Sequence, residues 1–238
     1  MKPKNKGIGK KSFVGSNWIM ALRRRKVQLK MAKKSSKRKK RKVTIRREAA
    51  LSGITNRLAT AQALQAPLYE CWERKGLFET DAGIGTVVVT RKTPGNQILM
   101  AAFLVDIFCL GVKDAHCMLL SENEYRFRLQ QIENHQELSE VHPACAKKLV
   151  EGAQIYAESL GFSPYRDYGF AKRIFGDIKE NQCPRSFTFG RDGKPMYLAG
   201  PNDNAQFRKK VMNTLTTRLG ENGFHYLMPL SEPEQVPD

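Results

Sequence analysis

The feature that most constrains this chain is the uneven distribution of its charge. Residues 1–48 contain 20 of the 41 lysines and arginines and a single acid, Glu48, which gives this segment a net charge of +19. The other 190 residues contain 21 basic and 22 acidic side chains, for a net charge of −1. A segment so rich in like charge cannot bury a core, whereas 190 residues of ordinary composition can. The sequence therefore predicts a basic arm followed by a globular domain.

The densest part of the arm is the stretch KKSSKRKKRK at residues 33–42, which holds eight cations and two serines. Mutual repulsion predicts that it is disordered when free. Residues 1–30 interleave apolar and basic side chains, a pattern typical of an amphipathic helix on a polyanion or an anionic membrane surface. Met31 is an alternative start, and residues 31–48 alone still carry a net charge of +9.

Lysines and arginines that neutralise phosphates release counterions, and this release drives binding without regard to base sequence. We therefore predict that the arm binds the phosphate backbone of nucleic acid, RNA or DNA; a merely solubilising tail is the alternative. The predicted phosphate-binding residues are Lys33, Lys34, Lys37, Arg38, Lys39, Lys40, Arg41, Lys42, Arg46 and Arg47.

The chain after the arm predicts an α+β domain with two β-hairpins and several packed helices. The expected organisation is an arm at 1–43, a helical stalk at 44–66, the domain at 67–230 and a loose tail at 231–238. The predicted strands are 68–72, 84–92 with 97–108 as the first hairpin, 187–189 with 196–198 as the second, and 224–228. The predicted helices are 114–130, 143–160, 167–175 and 204–219.

The longest apolar run, Ile98–Val105, is far shorter than the roughly 20 residues that a spanning helix needs. No secretory signal follows the N-terminal cations, and the five cysteines are widely spaced and odd in number. We therefore expect reduced thiols, a cytoplasmic location and no membrane span.

The stretch FLVDIFCLGVKD at residues 103–114 contains the strongest candidates for chemistry. Asp106 lies at the end of an apolar strand, and Lys113 and Asp114 follow Gly111. Carboxylates held in this way serve metal or acid–base chemistry, but an ion pair between Asp106 and Lys113 is the commoner arrangement. His116, Cys117, His142, Cys145 and Cys183 lack the spacing of a zinc site, so we predict no metal and no cofactor.

Two segments combine aromatic rings with cations, as surfaces that stack on bases do. One is FSPYRDYGFAKRIF at residues 162–175, and the other is residues 187–197, flanked by Arg185. Packing of the rings in the core, with the cations at its solvated rim, is the commoner explanation of such mixed segments.

Several dispersed strings resemble an uncharacterised family of bacterial proteins: LYECW, GIGTVVV, FLVDIFCLGVKD, YAESLGFSPYRDY, FGDI and FGRDGKPMYLAGPND. The resemblance covers about residues 65–205 and brings no activity with it. It implies a bacterial, cytoplasmic protein. The positions that it nominates for testing are Asp106, Lys113, Asp114, Asp177, Lys194, Asn202 and Asp203.

Three functions follow as hypotheses. The first is nucleic-acid binding, with the arm supplying affinity. The second is a metal-dependent enzyme acting on nucleic acid through Asp106 and Asp114, with Lys113 and Asp177 as further candidates. The third is a protein-interaction module whose arm contacts an acidic partner protein.

Overall fold

A computed structural model of the chain describes residues 59–79 and 83–227. All of the described residues belong to one compact unit, Leu58–Asp238. The predicted arm, most of the predicted stalk and the predicted tail lie outside the described residues. The residues 59–63 are helical, and Ala63 and Leu64 are buried in the core of the domain.

The domain is built on a five-stranded antiparallel sheet in the order β4-β3-β2-β1-β5. The strands are β1 (Leu68–Arg74), β2 (Ile84–Lys92), β3 (Ile98–Asp106), β4 (Gly111–Leu120) and β5 (Leu138–Glu140). The predicted hairpin of β2 and β3 is confirmed, and its turn, residues 93–97, includes Asn96 at a φ of 56°. Helices and an antiparallel sheet in one domain confirm the α+β class.

Helices cover both faces of this sheet. Helix α1 (Glu122–Glu133) lies over one face, where Tyr125 and Leu129 pack with Val88, Ile98 and Met100. Helix α2 (Pro143–Ser159) packs on the other, larger core. The apolar side chains of β3 alternate between these two cores, as period-two geometry requires of a strand covered on both sides.

Strand β4 is a correction to the sequence analysis, which placed a helix over 114–130. Residues 111–120 form a ten-residue strand instead, and the helix begins only at Glu122. Ala115, Cys117 and Leu119 belong to the α2 side, and alternate residues belong to the other face. Because β3 is buried on both faces, its backbone needs a hydrogen-bonded neighbour at each edge. That tertiary requirement outweighs the helical spacing of the side chains.

The second predicted hairpin, at 187–189 and 196–198, is also wrong. Residues 187–189 are not in a strand, and the tight turn around Asp192-Gly193 closes only an isolated bridge between Arg191 and Lys194. Strand β6 (Met196–Leu198) pairs in parallel with β7 (His225–Leu227). Phe187 and Phe189 instead pack inward against Phe78, with ring centroids 5.3 and 6.5 Å from it.

Short helical pieces lie between α2 and β6. Helix α3 (Tyr168–Ala171) continues into a 3₁₀ helix at Lys172–Phe175, and a second 3₁₀ helix spans Glu180–Gln182. Helix α4 (Ala205–Leu219) joins β6 to β7. It contributes Val211 and Leu215 to a separate small core; the other buried members of that core are Cys109, Leu110, Leu160, Tyr197 and Phe224.

The expectation of five reduced cysteines is corrected by a disulfide between Cys145 and Cys183. Cys145 lies in the first turn of α2, and Cys183 follows the second 3₁₀ helix. The bond therefore fastens residues 176–187 to the N-terminal end of α2. Lys147 and Lys148 strengthen this attachment by donating to the carbonyl oxygens of Ile178 and Arg185 at 2.8 and 2.6 Å. Cys71, Cys109 and Cys117 are free thiols.

Among the described residues, no helix is both long enough and apolar enough to cross a membrane.

Candidate ligand cleft

The turn between β3 and β4 explains why Asp106 ends a buried strand. Its Oδ1 atom accepts hydrogen bonds from the backbone N–H groups of Phe108 and Cys109, at 2.9 and 3.0 Å. A carboxylate that accepts from the second and third residues after it stabilises a tight turn. The Oδ1 atom of Asp106 thus satisfies two backbone donors of the turn, whereas its Oδ2 atom is buried without a hydrogen-bond partner.

Asp106 is buried in the domain, and Lys113 is the charged side chain that acts on its carboxyl. The side chain is only 1% exposed, and this burial raises the pKa of its carboxyl to about 6, although the N–H bonds and the charge of Lys113 act in the opposite direction. A raised pKa at a buried acid also occurs at catalytic sites. Here the hydrogen bonds of the turn account for the placement of the carboxylate.

A register shift in the pairing of β4 with β3 sets the direction of the Lys113 side chain. Leu104 pairs with Asp114 and Val105 pairs with Val112, so Lys113 is an extra residue that forms a bulge. Bulges redirect a side chain and are frequent beside functional sites. The ammonium of Lys113 lies 3.5 Å from Oδ2 of Asp203, and the two side chains are 15% and 10% exposed.

Asp203 is the centre of a polar network before α4. Its Oδ2 atom accepts from the hydroxyl of Tyr197 at 3.0 Å and from the N–H of Gly200 at 2.9 Å. Burial and this carboxylate together raise the pKa of the Tyr197 hydroxyl, which therefore remains a donor at neutral pH. Asn204 begins α4 as its N-cap and accepts from the N–H of Phe207 at 2.8 Å.

These residues border a cleft of about 610 Å³. One wall is the segment 161–166, which follows the end of α2, and the other is the turn 202–204 with the first half of α4. Leu110, Val112 and Val211 give the cleft an apolar part. Lys113, Arg166 and Lys210 provide three cations, against the single carboxylate of Asp203.

The N-terminus of α4 adds to the positive potential of the cleft. The first N–H groups of a helix have no partners within the helix, and the helix dipole places positive charge there. The sequence of α4 itself contains Arg208, Lys209, Lys210 and Arg218 and no acid. The cleft is therefore an apolar cavity with a cationic rim.

The structure brings together Lys113, Asn202 and Asp203 of the nominated positions, in this cleft. Of the aromatic segment 162–175, Phe162, Tyr165 and Arg166 line the cleft as well, and the guanidinium of Arg166 lies 6.0 Å from the ring centroid of Tyr165. Later in this segment, Lys172 lies over Tyr168 and Arg173 over Phe170. In the segment 187–197, by contrast, Phe187 and Phe189 are part of the core.

The other nominated residues lie elsewhere. Asp114 pairs with His116 at 3.1 Å beside a groove of about 310 Å³ on the α1 face of the sheet. Asp177 borders a shallow surface depression near Lys147 and Glu180. Lys194 donates to the carbonyl oxygen of Asn222 at 2.9 Å. Asp106 and Asp114 thus have separate partners and separate roles.

The residues with metal-ligand chemistry are used differently. His142 is the N-cap of α2, with its Nδ1 atom accepting from the N–H of Ala144, and Cys145 and Cys183 form the disulfide. Within residues 59–79 and 83–227, no group of three or more His, Cys, Asp or Glu side chains is placed to hold a metal ion.

Sequence reasoning missed Asn204, Phe207 and Lys210 as residues of the cleft. A signal for the last two exists, because Phe207, Lys210, Val211 and Thr214 recur at helical spacing on one face of α4. An apolar residue and a cation on the same face of a helix indicate that this face is partly buried and partly exposed to solvent. What the stripe faces is visible only in the structure.

No protein-family model matches the sequence, and no curated protein or solved structure matches it significantly.

Proposed function

We propose that this protein binds nucleic acid through the phosphate backbone, with the basic segment at residues 1–48 supplying most of the affinity. The observation that carries the proposal is the net charge of +19 in those 48 residues beside a remainder that is close to neutral. Each phosphate contact by Lys or Arg releases condensed counterions, so a run of cations binds a polyanion strongly at low salt.

Two features of the described domain support the same partner. Helix α4 carries four cations and no acid, and the segment 162–175 places Arg166 and Arg173 next to the partly exposed rings of Tyr165 and Phe170. Aromatic faces beside cations are suited to contact unpaired bases and phosphates together. The domain thus offers small basic and aromatic surfaces in addition to the charge of the arm.

A salt series on the full-length chain tests this function. With six to ten phosphate contacts, each contributing roughly 0.7 to the salt slope, affinity for a 20-nucleotide single strand falls about 3 × 10²-fold to 2 × 10⁴-fold between 50 and 200 mM salt. Fluorescence anisotropy of the labelled strand measures it. Replacing the eight cations of residues 33–42 with glutamine should lower the slope of log K against log salt by up to about 5.6, since each lost contact lowers it by roughly 0.7.

A comparison variant replaces the four cations of α4 with glutamine; it should lower the salt slope by less than the arm substitutions do, because it removes at most four contacts. Binding that is insensitive to salt, or unaffected by the arm substitutions, would refute the proposal. Purification with and without nuclease, followed by the ratio of absorbance at 260 and 280 nm, separates nucleic acid from an acidic protein partner. A protein that remains bound after nuclease treatment would favour the acidic partner.

A further inference from the structure

Lys113 is placed at the cleft with more hydrogen-bonding capacity than its neighbours use. Its ammonium has three N–H donors, and Oδ2 of Asp203 is 3.5 Å away, which is long for a bond between charged groups. That oxygen already accepts from Tyr197 and Gly200 at 3.0 and 2.9 Å. A largely buried cation is stabilised by close oxygen acceptors, so the position suits an anionic oxygen entering from the cleft.

The rim of the cleft extends this preference for an anion. Lys210 is exposed on α4, and Arg166 is exposed on the opposite wall, where it also pairs with Asp167 at 3.3 Å. The first turn of α4 contributes the positive end of the helix dipole. Side chains and backbone from three separate segments therefore favour a negative charge at this one place.

The same cleft has apolar and aromatic surface that a phosphate alone would leave uncovered. Phe207 is 39% exposed although it is a large apolar side chain, and Tyr165 lies on the facing segment. Leu110 and Val112 line the cleft between them. The volume of about 610 Å³ is in the range of sites for small organic ligands.

We propose that this cleft binds a nucleoside phosphate, with the phosphate at Lys113, Lys210 and the N-terminus of α4 and the base against Phe207 or Tyr165. The inference rests on the nucleic-acid function proposed above for its choice of ligand. It adds a site for one unpaired nucleotide, either free or in a single strand. Duplex nucleic acid cannot present a base to the cleft, so single strands are favoured.

Isothermal titration calorimetry of the full-length chain with AMP, adenosine and inorganic phosphate tests the cleft directly. AMP should bind more tightly than either fragment. Lys210→Glu should weaken AMP binding by about tenfold, because a charge-assisted contact is replaced by repulsion. The matched control is Lys209→Glu, the same change on the adjacent exposed residue of α4, which is not among the residues lining the cleft; it should change AMP binding less than about twofold.

A second pair of variants tests the contact with the base. Phe207→Ala should weaken AMP binding by about fivefold or more, the usual range for loss of a base–aromatic stack, and leave phosphate binding unchanged. Phe127→Ala is the control, since Phe127 is 63% exposed on α1 and lies outside the cleft lining. All four side chains are at least partly solvent-exposed, and a thermal melt by circular dichroism verifies that each variant folds.

The outcomes separate the two proposals. A chain that binds the 20-nucleotide strand with steep salt dependence but does not bind AMP would overturn the cleft site and keep the nucleic-acid function. A chain that binds AMP but not the strand would keep the cleft and overturn that function. Equal losses for Lys210→Glu and Lys209→Glu would also overturn the cleft. If AMP and the strand compete, the natural ligand of the cleft is a nucleotide of a single strand. If they do not compete, it is a free nucleotide.

Discussion

The disulfide between Cys145 and Cys183 gives a prediction about stability that does not depend on function. The two residues are separated by 38 positions, and closing a loop of this length lowers the entropy of the unfolded chain enough to stabilise the native state by about 4 kcal/mol. The double variant Cys145→Ser, Cys183→Ser should therefore lose about that much free energy of unfolding. Part of the segment should stay attached, because Lys147, Lys148 and the ion pair of Arg185 with Glu73 remain.

The assay is equilibrium unfolding in urea, with and without dithiothreitol. The native chain should lose stability when reductant is added, whereas the double variant should not respond. Cys71→Ala is the control, since it removes a buried thiol that the disulfide does not use. Alkylation of the unfolded protein gives an independent count: three thiols react without reductant and five react with it. Five reactive thiols without reductant, or a loss below about 1 kcal/mol, would refute the reasoning.

Three further substitutions test local features of the domain. Burial raises the pKa of Asp106 to about 6 from 3.8, so the native state holds a proton that the unfolded state has lost, and this residue makes stability fall as pH rises from about 4 to about 6. The free energy of unfolding of Asp106→Asn minus that of the native chain should therefore rise by about 3 kcal/mol from pH 4 to pH 7, as measured by urea unfolding. A difference that stays the same across this pH range would contradict the reasoning. Gly111→Ala should lower the free energy of unfolding by about 2 kcal/mol or more, because φ is +65° and the new Cβ would lie 2.7 Å from Cβ of Ala157. Gly193→Ala, whose φ is also positive but whose surroundings are open, should lower it by about half as much. Equal losses would refute the steric argument. Arg91→Met should cost about 3 kcal/mol in thermal or urea unfolding, since it leaves the buried carbonyls of Ala66 and Ile174 without their donor at 2.6 and 2.7 Å, and a neutral effect would show that water replaces it.

Local signals predicted the elements whose ends are marked in the sequence. Strand β2 was predicted with its observed bounds because β-branched residues run from Ile84 to a turn at Thr93-Pro94. Helix α2 begins at Pro143, as the preference of proline for the first turn indicates. The chain reverses just after it at Gly161, where φ is +93°. Proline restricts φ and glycine permits a positive φ, so both ends of this helix are marked by local residue type.

Features that depend on partners distant in the chain were not predicted. Strand β4 is a strand because β3 needs an edge partner, and β6 pairs with β7 rather than with residues 187–189. The disulfide joins two cysteines whose proximity is set by the packing of α2. The cleft gathers Lys113, Arg166 and Lys210 from a bulge, a loop and a helix. Spacing along the sequence contains no measure of such distances.

Strand β5 has a consequence for how this sheet avoids self-association. Strands β1 to β4 follow one another along the chain, so they can pair as soon as residue 120 has left the ribosome. In that four-stranded sheet β1 is an outer strand with unpaired N–H and C=O groups, which is the kind of edge on which chains aggregate. Only when residues 138–140 arrive do Trp72, Glu73 and Arg74 gain their second neighbour. Three residues of β5 thus cover the part of the β1 edge that the earlier strands leave open.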